Sequence, residues 1–83
     1  MILSMSPTVF REGGFRFYFF SREEQRMHVH VQGQGGEAKF WLEPEVVLAQ
    51  YAGLSAREIN EALRLVQEHE HDIRNAWRKH FPG

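Results

Sequence analysis

The sequence predicts an α+β fold in a single domain: a small antiparallel sheet of about four strands, packed against a short helix and a long C-terminal helix. Three observations lead there. The chain has 83 residues, enough for one hydrophobic core and no second one. Most of its aromatic residues fall between positions 7 and 42, in short runs with the period-two pattern of strands. Residues 43–80 are instead rich in Glu, Ala, Leu and Arg at helical spacing, and strands followed by helices is the α+β order.

Residues 1–6 read as an extension ahead of the domain, and 7–42 as hairpins. Thr8-Val9-Phe10-Arg11 is a first strand, Glu12-Gly13-Gly14 a tight reversal, and Phe15 to Phe20 an aromatic return strand. Ser21 to Arg26 is polar and reads as an exposed connection. Met27-His28-Val29-His30-Val31-Gln32 and Glu37-Ala38-Lys39-Phe40-Trp41-Leu42 both alternate, with Gly33-Gln34-Gly35-Gly36 between them. If Gln32 and Glu37 flank the loop, Val31 faces Ala38, His30 faces Lys39, Val29 faces Phe40 and His28 faces Trp41. Met27, Val29, Val31, Ala38, Phe40 and Leu42 then share one face, and His28, His30, Lys39 and Trp41 share the other. Pro44 at a helix start and Gly53 at its stop predict a short helix over 44–51. Ser55-Ala56-Arg57-Glu58 is a capping box that opens a long helix over 55–80, closed by Pro82 and Gly83. Ile59, Leu63, Val66, Ile73 and Trp77 form its apolar stripe. Glu70 falls inside that stripe, either at its wet edge or paired with a basic group from the sheet.

Composition excludes several function classes. With no cysteine there is no disulfide scaffold, thiolate zinc site or cysteine nucleophile, and a reducing, cytoplasmic setting is expected. No apolar run is long enough to span a bilayer, and MILSMSPT lacks the basic start and apolar centre of a signal peptide. A net charge of -1 argues against a uniformly basic surface, so any polyanion must meet a locally basic face. The glycine loops lack the Lys-Ser/Thr of a phosphate loop.

The candidate chemistry lies on the His28/His30 face. Two histidines at i and i+2 on a strand project from the same side, and Arg16 and Tyr18 join them in one register of the second strand. The set is suited to single-stranded nucleic acid: aromatics stack bases and cations meet phosphates. In a metal-independent, ribonuclease-like enzyme, His28 and His30 would be the catalytic acid/base pair, Arg16 and Lys39 the phosphate contacts, and Tyr18 and Trp41 further binding groups, with Trp41 the stacking platform. The same face also serves a non-enzymatic binding or regulatory module for protein or nucleic acid. A third reading binds metal through His28 and His30, which requires a third ligand such as His69, Glu70 or His71 from the helix. His69-Glu70-His71 is not itself a ligand set, because helical neighbours diverge by about 100°. No cofactor is expected.

Pro7-Thr8-Val9-Phe10, Gly14-Phe15-Arg16-Phe17-Tyr18-Phe19, His28-Val29-His30-Val31, Gly36-Glu37-Ala38-Lys39-Phe40-Trp41-Leu42 and the helix carrying Trp77 together resemble the small bacterial family of unknown function DUF4160. Members commonly begin Met-Pro-Thr, so translation from Met5 is an alternative to Met1, and Met27 stands where members often have Pro. The resemblance implies the toxin half of a type II toxin-antitoxin module, with a small DUF2442-type antitoxin as its protein partner and RNA as a further partner. It implies no catalytic mechanism. Self-association through exposed sheet edges is a further expectation, and no membrane association is expected.

Overall fold

The computed structural model describes residues 8–20 and 25–82. The expected extension at 1–6 and most of the polar connection at 21–26 lie outside the described residues. The elements are β1 (Thr8–Glu12), β2 (Phe15–Tyr18), β3 (His28–Gln32), β4 (Glu37–Trp41), β5 (Val47–Ala52), α1 (Ala56–Glu68) and α2 (Glu70–His80). The strands form one antiparallel meander in the order β1-β2-β3-β4-β5, and among the described residues no helix is long and apolar enough to cross a membrane.

The first hairpin closes through Gly13 and Gly14, at φ 63° and 82°. Positive φ at both central residues matches the right-handed twist of the flanking strands, which is why this loop needs glycine. The β3–β4 register is Val31↔Ala38, His30↔Lys39, Val29↔Phe40 and His28↔Trp41, as the alternation predicts. Met27, Val29, Val31, Ala38, Phe40 and Leu42 are all buried. Phe15, Phe17 and Phe19 extend this apolar face, and Ala62, Leu65, Val66, Ile73 and Trp77 of the helices close it into one core.

Two parts of the sequence reading are corrected. Residues 47–52 form a fifth strand, where a short helix over 44–51 is the sequence expectation. Pro44 lies in the turn after β4, its peptide bond to Glu43 cis, and does not open a helix. Val46, Val47 and Leu48 suit a pleated surface as well as a helix, and pairing along the β4 edge decides between them. Gly53 accordingly leaves a strand, at φ 77°. The helix over 55–80 is also divided. Its capping box is present, with the Ser55 amide donating to Glu58 Oε1 at 2.8 Å and the Glu58 amide to Ser55 Oγ at 3.1 Å. At His69, with φ -105° and ψ 17°, the chain leaves helical geometry for one residue. The bends in hydrogen bonding are small, since His69 N–H still reaches the Leu65 carbonyl at 3.0 Å and Ile73 N–H the His69 carbonyl at 2.9 Å. A tertiary contact accompanies the break: the His69 ring packs on Phe10 at 4.3 Å and its Nε2 meets Glu12 Oε1 at 2.8 Å.

The β3–β4 loop and the exit of β5 touch backbone to backbone. A Cβ on Gly36 would fall inside the Ala52 carbonyl oxygen and against Gly53. Neither neighbour is a side chain able to swing away, so Gly36→Ala is expected to destabilise the domain by about 2 kcal/mol or more. The measurement is the urea midpoint; an unchanged midpoint refutes this account of the β4–β5 end.

Candidate nucleic-acid interface

Strand register brings the candidate residues to one surface. Tyr18 pairs with His30 and Arg16 with Gln32, so β2 presents Arg16 and Tyr18 on the side already holding His28, His30, Lys39 and Trp41. Lys39 in turn faces Gln50 on β5, and Trp41 faces Val47. This is the outer face of the sheet, opposite the apolar face that receives the helices.

The six residues differ in depth. His28 is 0% exposed, a core residue and not an open-face group. Its ring lies 5.5 Å from Trp41, 5.0 Å from His30 and 5.2 Å from Trp77, which also packs edge-on to Phe19 at 5.4 Å. Trp77 of α2 therefore stands at the rim where the two faces meet, and its indole covers the histidine. The His28 Nδ1–H donates to the Arg26 carbonyl at 2.7 Å, which anchors the ring to the backbone at the start of β3. The expected accessible pair of histidines is thus one half-buried ring, its Nε2 enclosed, and one fully buried ring. His30 is half-buried, stacked on Tyr18 at 5.4 Å and against Phe20 at 4.3 Å.

Cations line the aromatic rings. The Arg16 guanidinium lies 4.3 Å from the Tyr18 centroid, and its Nε donates to Thr8 Oγ1 at 2.7 Å. Arg26 and Lys39 lie 4.2 Å and 4.3 Å from the Trp41 centroid. Cation and quadrupole attract in this geometry, and the contact holds long side chains in a narrower range than solvent would. The ring expected as a stacking platform is therefore partly occupied by its own cations. Arg26, which the sequence reading placed in an exposed connection, is a member of the site; its Nε also donates to the Glu43 carbonyl at 3.0 Å. Its one legible signal was proximity to the His28 strand. Phe20 is the other addition, left 43% exposed beside His30.

The residues that would have completed a metal site with His28 and His30 lie elsewhere. His69 meets Glu12, and the two converge with Glu68 at the α1–α2 junction. His71 is exposed and accepts from the Asn75 amide at 3.2 Å. Glu70 pairs with Arg74 on its own helix at 2.8 Å, not with a group from the sheet, and Arg74 also donates to the Leu42 carbonyl. Farther along α1, Arg64 hydrogen-bonds Glu61 and holds its carboxyl below the usual range on the exposed helix surface.

Fold and site define a small sheet domain whose helices cover one face and whose other face gathers cations, aromatic rings and imidazole. The chain belongs to the family described as Domain of unknown function (DUF4160), whose model matches residues 14–78. That span begins at the Gly13-Gly14 turn and runs into α2, leaving β1 outside it. No curated protein and no solved structure matches the chain.

The depth difference between the histidines has a direct consequence for stability. His28→Ala empties a fully enclosed ring site and is expected to cost about 3 kcal/mol, as buried aromatic truncations do. His30→Ala, at the half-buried position, is expected to cost about 1 kcal/mol. Thermal unfolding of the two variants checks this, and equal losses contradict the assignment of His28 to the core.

Proposed function

We propose that the chain is the toxin-side member of a two-protein bacterial module and acts in the cytoplasm by holding single-stranded RNA on the outer face of its sheet. The observation that carries the reading is the grouping of Arg16, Arg26 and Lys39 around Tyr18 and Trp41 on the face the helices leave uncovered. An open sheet surface of this kind suits a flexible single strand, whose backbone tracks the cations while bases reach aromatic rings. The near-neutral overall charge is compatible with it, because the acidic residues lie mainly in the second half of the chain. Membership in the family supports the pairing with a DUF2442-type antitoxin.

Acid/base work at this face falls to His30. A ring that is 0% exposed and tied through Nδ1 to a backbone carbonyl, as His28 is, orients its neighbour instead of meeting a substrate. That same burial favours a second reading, a non-enzymatic module that binds RNA without cutting it.

Expression of the wild type is expected to arrest growth, and co-expression of the antitoxin to relieve it. In vitro, single-stranded RNA should bind with a salt-dependent constant. Arg26→Ala with Lys39→Ala should lower the slope of log K against log salt by about 1.4, the value for two phosphate contacts on a single strand. RNA cut by the wild type and left whole by His30→Ala assigns cleavage; RNA bound but never cut selects the non-enzymatic reading. Absence of RNA binding overturns both.

A further inference from the structure

On the outer face, Phe20, His30, Glu37, Lys39 and Gln50 line a groove of about 360 Å³. Its size falls in the range of small-molecule sites, roughly 300–1,000 Å³. Among the described residues three large hydrophobic side chains remain exposed, and one of them, Phe20 at 43%, belongs to this groove. An exposed aromatic ring bordering a polar floor gives a base a surface on which to stack.

We propose that this groove seats one adenine base of the bound strand; the inference rests on the RNA reading above and specifies its ligand. The polar groups select the base. Gln50 lies directly opposite Lys39 in the β4–β5 register, so both project on the outer face, and Glu37 lies two residues before Lys39 on the same side. The Gln50 side-chain amide carries a donor and an acceptor together, the complement of adenine N7 and N6. Glu37 is a carboxylate and only accepts, so it favours the exocyclic amino group of adenine and opposes the carbonyl edge of uracil. Lys39 supplies the charge for the adjoining phosphate. Phe20 packs against His30, which fixes the stacking wall of the seat, whereas Tyr51 pairs with Ala38 and projects to the other face.

The test compares short oligo(A) and oligo(U) by fluorescence anisotropy at one salt concentration, with AMP as competitor. Oligo(A) is expected to bind about tenfold more tightly than oligo(U), and AMP to displace it. Phe20→Ala should weaken oligo(A) binding about tenfold while changing oligo(U) less. Gln50→Ala should abolish the preference without removing the residual, salt-dependent affinity. Both positions are exposed, and thermal unfolding verifies that each variant keeps its fold. Equal affinity for the two oligomers, or a preference that survives Gln50→Ala, overturns the adenine seat and leaves the RNA reading standing. Failure of both oligomers to bind overturns the RNA reading and the seat together.

Discussion

The pairing of Gln32 with Glu37 fixes everything built on the central hairpin. From it follow Val31 against Ala38 and Val29 against Phe40 on one face, and His30 against Lys39 and His28 against Trp41 on the other. A one-residue slip would exchange the faces and drive Lys39 and two imidazoles against α1. Burying one Val or Phe is worth roughly 1.5–3 kcal/mol, whereas a surface cation–aromatic contact is worth roughly 0.5–1 kcal/mol. The apolar set therefore dictates the register, and the outer face is its by-product: what the core rejects is displayed together. The backbone contact of Gly36 with Ala52 and Gly53 adds a second restraint at the loop end of the same hairpin.

Strict alternation made this hairpin legible, because a period-two pattern with a dense apolar phase has one register that buries it. The capping box was legible for a comparable reason: Ser55 and Glu58 satisfy each other's backbone amides locally, without help from the rest of the fold. Residues 44–51 carried no such internal decision. Their Val and Leu positions fit either period, and the free edge of β4, invisible in the local sequence, drew them into the sheet. The break at His69 escaped for a related reason, since its Phe10 and Glu12 partners lie far away in the chain.

Within the site, residue identity was more legible than depth. Alternation assigned His28 and His30 to one face, yet it treats all positions on a face alike. Depth depends on what stands at the rim, and there Trp77 of α2 meets both Phe19 and His28. A helix residue counted as part of the core stripe thus closes over the outer-face histidine nearest the strand start. The sequence pattern contains Trp77 but not the bend at His69 that separates α2 from α1 and sets its course.

Burial of His28 also gives the outer face a rigid base. His28, His30, Tyr18 and Phe20 form a continuous set of ring contacts, with His28 anchored to the Arg26 carbonyl. Residue 26 is therefore tied through its backbone to the buried ring while its guanidinium sits over Trp41. Ordering of the cations before a ligand arrives reduces the entropy lost on binding. It also divides the surface. A base stacking on Trp41 must displace Arg26 or Lys39 from the ring, whereas a phosphate can approach those same cations without disturbing them. Phe20, exposed at the other end, involves no such exchange. In the proposed binding mode the Trp41 end therefore serves the backbone of the strand and the Phe20 end its base, with His30 between them.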